Sequence, residues 1–353
     1  MSARNRMNRS THALADSSAT LEQLGEREWL RRVRRWFARD SGRRTTRIGI
    51  GDDAAALMLG RGRGPLLVAT DAMVEGVHFR WEWTSPRDLA AKALAVNLSD
   101  LAAMGACPIA ALLALSLPAA SPVSRIEAFF KGLRAEGRRW GCPLVGGDMT
   151  AAPQWSLAIT VLGQPAVTGR VIRRDAARPG QKLYVTGRPG QAGAGLAALD
   201  GGESAPAFIR RFLRPSPRLA EAAALARACP DLAMIDVSDG VWNDADQLAE
   251  ASGTGIELSH ELLKPTPAMT RLAARLGIED PIQWVLFGGE DYELLFSTDR
   301  GIDRLREAFA RAGIKTPIHQ IGEVVRGRGV RVRQGDRAIQ LKDSTFKHFG
   351  LRR

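Results

Sequence analysis

Apolar residues along this chain fall into short runs whose spacing alternates between a helical and a strand period. Residues 26–37 (EREWLRRVRRWF) place Trp29, Leu30, Val33, Trp36 and Phe37 on one face with arginines opposite, which predicts an amphipathic helix. A second helix is predicted over 86–104, initiated by Ser85-Pro86 and closed by Gly105. In it Leu89, Ala93, Val96 and Ala103 face a core, while Lys92, Asn97 and Asp100 fall on other faces. Strands are predicted at 66–70, 111–117, 144–146 and 156–162, with a helix at 124–140. Beyond a polar, basic stretch at 163–181 the alternation resumes, with strand 182–186, a glycine-rich turn (187–195) and a helix to Leu199. Helices 217–228 and 242–252 and strands 233–236 and 292–296 follow. Such alternation predicts a mixed α/β fold in packed layers. The 163–181 stretch marks a boundary between domains at 21–165 and 166–353, behind a basic tail (1–20) expected to be disordered.

Five apolar runs end in acids, often across glycine: 48–53 (IGIGDD), 66–71 (LLVATD), 144–148 (LVGGD), 234–239 (MIDVSD) and 285–291 (VLFGGED). A buried apolar run bounded by glycine reads as a strand, so each carboxylate is expected at a strand end. Carboxylates gathered in one place repel one another unless cations lie between them. Oxygen-only ligands select hard ions such as Mg2+, which commonly arrive with nucleotide phosphates. The pattern therefore points to a Mg2+-nucleotide enzyme.

Helix capping is the competing explanation. Asp52-Asp53 would suit an N-cap if 54–59 continued as a helix. Asp100, however, falls inside a helical pattern, and Asp239 follows Asp236 at three residues. Capping alone does not account for five acidic ends. Glu290-Asp291 precedes an apolar strand, where charges are awkward unless they face a site. His78 reads as a satisfied polar residue or as a functional one. The glycine-rich turn has neither dinucleotide nor P-loop spacing, and protein-kinase elements are absent. Whether that turn cradles an anion or only packs tightly stays open here.

At 353 residues, 45% apolar and 25% charged, the chain suits two globular domains. Its net charge of +12 raises the question of a nucleic-acid partner. Only seven of the 50 basic residues are lysine, and the arginines are spread without a binding motif, so no such partner is expected. Three distant cysteines without C-x-x-C spacing suggest reduced thiols in a cytoplasmic protein. The longest apolar stretch, 109–117, is too short to span a bilayer, and the first twenty residues lack a secretory apolar region.

Taken together, GIGDDAA (49–55), ATDAMVEGVHF (69–79), KALAVNLSDLAAMGACP (92–108), LVGGDMT (144–150), RPSPR (214–218), DVSDG (236–240) and FGGEDYELLF (287–296) closely resemble the thiamine-monophosphate kinase family. That family belongs to the ATP-using superfamily of aminoimidazole ribonucleotide synthetase, selenophosphate synthetase and a hydrogenase maturation factor. The resemblance runs in order from about residue 20 to Phe349. It implies a two-domain α/β protein that dimerises through N-terminal sheets forming a barrel, with ATP and several Mg2+ between the domains. By motif, Asp53, Thr70, Asp71, Asp100, Asp148, Asp236 and Asp239 would be metal ligands. Gly147, Asp148, Arg174 and Ser238 would contact ATP. His78 and Glu290 would contact thiamine monophosphate, with Phe346 packing on its aromatic part. Which acid of Glu290-Asp291 serves is left open by the motif. Ala69 stands where the family often has Ser or Thr, which puts one metal contact in doubt. The implied reaction transfers the terminal phosphate of ATP to thiamine monophosphate and needs no dedicated base, because the acceptor phosphate is already ionised. Selenophosphate synthesis is disfavoured by the absence of cysteine before Asp52. Aminoimidazole synthesis is disfavoured by VHF and GGEDYEL.

Overall fold

The described residues of this computed structural model are 26–37, 45–60, 64–335 and 337–339. The tail at 1–20 and Phe346 lie outside them. Helix α1 (Glu26–Phe37) belongs to a compact unit of its own. The Trp29 and Trp36 rings meet edge to face at 5.3 Å, as two residues seven apart on one helical face should.

The second unit holds two sheets. The first contains β1 (Thr46–Ile48), β2 (Ala55–Met58), β3 (Pro65–Val74), β4 (Ala106–Leu117), β5 (Leu144–Ala151) and β6 (Ser156–Pro165) in the order β1-β2-β3-β6-β4-β5. Only β4 and β5 run parallel. Period-two alternation is clean in β6, where Leu157, Ile159 and Val161 are buried and meet Leu67, Met73, Leu113 and Leu115 in one core. On the other face Leu112 of β4 is exposed, and every residue of the edge strand β5 is exposed.

Helix α2 (Pro86–Ala103) covers the buried face and α3 (Val123–Trp140) packs on it. Ser85 caps α2 by accepting from the Asp88 N–H at 3.1 Å, with Pro86 in the first turn. The faces of α2 that carry Lys92 and Asn97 are not exposed. The helix contacts elements of both sheets, so Lys92, Asn97 and Ser99 are buried along with its leucines and alanines.

The second sheet has the order β13-β12-β9-β11-β7-β10-β8. Its strands are β7 (Lys182–Thr186), β8 (Ala233–Asp236), β9 (Gly255–Ser259), β10 (Leu294–Thr298), β11 (Ile318–Val325), β12 (Gly329–Gln334) and β13 (Arg337–Ile339). Helices α4 (Gln191–Asp200), α5 (Pro206–Leu213), α6 (Leu219–Ala228), α7 (Val241–Ser252), α8 (Pro267–Leu276), α9 (Ile282–Phe287) and α10 (Ile302–Arg311) complete this part.

Three expectations need correction. The 285–291 run ends helix α9 and is not a strand, because a short apolar run cannot be told from a buried helix by periodicity. Asp71 and Asp148 lie inside β3 and β5, not at strand ends. Residues after Asp53 form β2, which removes the helix-capping explanation for Asp52-Asp53.

Candidate active site

Three elements distant in sequence bring carboxylates together at the buried end of α2. Asp53 comes from the turn before β2, Asp100 from the last turn of α2 and Asp236 from the end of β8. One oxygen from each lies within 4.8 Å of the others. Asp53 Oδ2 is buried without a hydrogen-bond partner. Asp236 accepts a 2.5 Å hydrogen bond from Ser99 Oγ. Asp71 is set beside them by Asn97, whose Oδ1 accepts from the Asp71 N–H at 2.8 Å and whose Nδ2 is anchored on Ala93 O. Burial pushes Asp53 and Asp236 up to about 6, with mutual repulsion adding to it and Arg174 opposing it. Asp100 is raised well above the usual carboxylate range, first by burial and then by Asp71, Asp236 and Asp53. Such a cluster is electrostatically incomplete, and its hard oxygen donors fit Mg2+.

Arg174 supplies the positive charge within the cluster. Its guanidinium donates to Asp53, approaches Asp52 at 3.5 Å and donates to Gln247 Oε1 at 2.9 Å. Gln247 Nε2 lies 3.5 Å from Asp239 Oδ2 and 3.4 Å from Asp244 Oδ1. Asp244 Oδ2 in turn accepts from the Asp239 N–H at 3.1 Å. Ser238 and Asp239 thus sit on a turn held from behind by a buried acid, itself raised well above its ordinary range by burial.

The GGED segment lies against that turn. Glu290 N donates to Ser238 O at 2.7 Å, and Tyr292 N to Val237 O at 2.8 Å. Gly289, at φ 62, has no room for a side chain: a Cβ would lie 2.7 Å from Ser238 O. Glu290 and Tyr292 are also left-handed, at φ 56 and 50. That conformation costs a non-glycine residue about 1–3 kcal/mol and recurs at functional sites. The two acids of the pair have different surroundings. Asp291 accepts from the Gly190 and Ala192 N–H groups and caps α4, so the glycine-rich turn already holds an anion, the protein's own. Glu290 instead meets Lys92 at 2.9 Å. His78 closes the opposite turn, its Nδ1 accepting from the Val74 N–H at 3.0 Å.

Two assigned positions stand apart. Thr70 points to the face away from Asp71, its hydroxyl donating to Ile159 O and accepting from Thr160 Oγ1, both at 3.1 Å. Asp148 lies on β5, opposite Ala114 of β4. Three strand spacings, about 14 Å, separate β5 from β3 and Asp71. Gly147 beside it packs so closely that a Cβ would fall 1.9 Å from Leu113 O. Asn97 and Ser99 lie within the 92–108 motif without an assigned role, and Asp244 and Gln247 lie in none of the motifs. Spacing along α2 and α7 is the feature that could have indicated them.

Fold and site together define a two-sheet α/β protein with a candidate metal-holding carboxylate cluster at the sheet junction. The AIR synthase related protein N-terminal domain matches residues 51–164, and the C-terminal domain matches 178–335. Thiamine-monophosphate kinase of Mycobacterium tuberculosis is 40% identical over 290 residues, 80% of this chain and 84% of that protein. The Salmonella typhimurium enzyme of that name is 41% identical over 273 residues, covering 75% and 81%. Among solved structures, AaThiL complexed with AMPPCP and TMP superimposes with a TM-score of 0.79 at 32% identity, covering 94% of this chain and all of that one. Thiamine-monophosphate kinase from Stenotrophomonas maltophilia gives 0.69 at 37% identity, covering 85% and 95%. The chain belongs to the thiamine-monophosphate kinase family of AIR synthase related proteins.

Proposed function

We propose that this protein phosphorylates thiamine monophosphate with ATP, giving thiamine diphosphate and ADP. The observation that carries this reading is the convergence of Asp53, Asp100 and Asp236, with an unpartnered Asp53 oxygen, beside Arg174. The kinases named above, and the relative solved with AMPPCP and TMP, support the choice of substrates.

Both reactants are anions, so bringing them together is the first obstacle. Asp53, Asp71, Asp100, Asp236 and Asp239 would hold Mg2+, which when bound offsets phosphate repulsion and charge in a loose transition state. Arg174 is placed to exchange from Asp53 to a nucleotide phosphate, with Ser238 on the neighbouring turn. The Val74 contact leaves the hydrogen of a neutral His78 ring on Nε2, a donor for the acceptor's phosphate. Glu290 provides a carboxylate for the cationic, aminopyrimidine-bearing end of thiamine. No side chain needs to act as base, because the acceptor oxygen is already ionised, and the protein contributes position and electrostatics.

The same reading makes the protein a homodimer. The exposed face of the first sheet and the edge strand β5, with Leu112, Val145 and Met149, is the surface a second copy would cover. Asp148 and Gly147 then serve the site of the partner subunit, since the strand spacing keeps them from Asp71 of their own. No helix among the described residues is long and apolar enough to cross a membrane. A cytoplasmic location belongs to the same proposal, with ATP as the phosphoryl donor supporting it.

The test is chromatographic detection of thiamine diphosphate with ADP, from ATP, Mg2+ and thiamine monophosphate. Equal yields that vanish with EDTA or with unphosphorylated thiamine are expected. ADP formation indifferent to thiamine monophosphate would overturn the assignment.

A further inference from the structure

Lys92 is the one fully buried lysine among the described residues, with 1% exposure, and nothing in the phosphoryl-transfer chemistry above uses it. It lies in the middle of α2, two turns before Asp100. Its ammonium group meets both carboxylate oxygens of Glu290, Oε1 at 2.9 Å and Oε2 at 3.0 Å. The His78 carbonyl lies 3.4 Å away, and the Phe212 ring of α5 covers the remaining side with its centroid at 3.7 Å. Three donors therefore have three acceptors, and an aromatic face closes the shell.

These contacts join the two residues proposed to hold the thiamine substrate. Glu290 sits on a left-handed backbone, a conformation that persists only where surroundings enforce it. The enforcing groups are Ser238 O on the main-chain side and Lys92 on the side-chain side. His78 is pinned in the same way, by Val74 at its ring and Lys92 at its carbonyl. Because Lys92 belongs to the helix that also carries Asp100, one rigid element sets the acceptor-binding pair relative to the acid cluster.

We infer that Lys92 is a positioning residue of the acceptor site, fixing Glu290 and the His78 turn in the geometry that selects thiamine monophosphate while leaving nucleotide binding untouched. This inference rests on the proposed assignment of Glu290 and His78 to that substrate. A purely structural staple between α2 and the GGED segment would lower stability without separating the two substrates. A positioning residue affects one ligand and not the other.

The experiment is calorimetric titration of thiamine monophosphate and, separately, of AMPPCP with Mg2+, into wild type, Lys92→Met and Lys92→Gln. The Gln variant keeps a polar group beside Glu290 in case the Met variant does not fold. The Kd for thiamine monophosphate is expected to rise at least fivefold in a folded variant, with the AMPPCP Kd within twofold. A smaller rise, or an equal rise for both ligands, overturns the inference. Glu290→Gln and His78→Ala are titrated alongside. If those two leave the thiamine monophosphate Kd unchanged, the underlying site assignment fails. If they weaken it and the Lys92 variants do not, the positioning role alone fails.

Discussion

Ser99 Oγ and Asp236 Oδ2, 137 residues apart in sequence, meet at 2.5 Å across the junction of the two sheets. The bond joins α2 to the end of β8 and stabilises the ionised form of a buried acid. Removing it in Ser99→Ala should make Asp236 harder to ionise and so a poorer cation ligand. The expected outcome is a Mg2+ midpoint raised about tenfold or more, on the order of the 1.5–3 kcal/mol of a hydrogen bond to a charged group. Thermal shift against Mg2+ concentration reads this directly, and an unchanged midpoint counts against Asp236 as a ligand.

Asp71→Asn and Asp148→Asn should each lower turnover about 100-fold, the scale of losing one focused electrostatic contact. If Asp148 serves the partner's site, mixing the two inactive variants after subunit exchange restores activity. One intact site forms in each mixed dimer, so about a quarter of wild-type activity should return with random pairing. No recovery beyond the sum of the parents places both acids in one subunit's site.

Stability should fall as pH rises when metal is withheld. Asp52 and Asp291 are raised to about 7, and Asp53 and Asp236 to about 6, from 3.8 in each case, burial being the first cause. The folded state therefore holds more protons than the unfolded one between about pH 4 and 7, and the sign of linkage makes stability drop across that window. In EDTA the melting temperature should decline from pH 5 to 7.5. The gain on adding Mg2+ should be larger at the upper pH. A flat profile in EDTA removes the picture of an uncompensated acid cluster.

Asp291→Ala strips the cap from α4 and leaves the Gly190 and Ala192 N–H groups without their acceptor. A loss of about 1–2 kcal/mol is expected from chemical denaturation. Asp291→Asn keeps an acceptor and removes a charge whose burial is unfavourable, so it should cost less. Equal losses would mean that the charge itself is needed at the cap.

Asp53 and Asp236 lie in apolar runs that end in acids and Asp100 lies in the 92–108 motif, so each of the three carried a signal in the sequence. What they lacked was direction. Thr70 and Asp71 are neighbours in sequence, yet strand alternation sends them to opposite faces of β3, and only the pairing with Thr160 shows which is which. Sequence likewise could not divide Glu290 from Asp291, since the division depends on an α4 terminus about a hundred residues away. Helix α2 was legible in extent but not in exposure. Lys92 and Asn97 fall on faces other than the apolar one by spacing, and they are buried because the helix touches both sheets. A partition into domains at 21–165 and 166–353 stays a proposal, motivated by the presence of two sheets.

Strand β5 carries a consequence for handling the protein. Its eight residues, Leu144–Ala151, form an unpaired edge with apolar side chains in the open, and Asp148 is its single charge. A lone charge on an exposed edge discourages strand-to-strand association between stray copies. On the dimer proposed above, Asp148 would guard solubility in the dissociated subunit as well as serve the assembled site, until a second copy covers the edge.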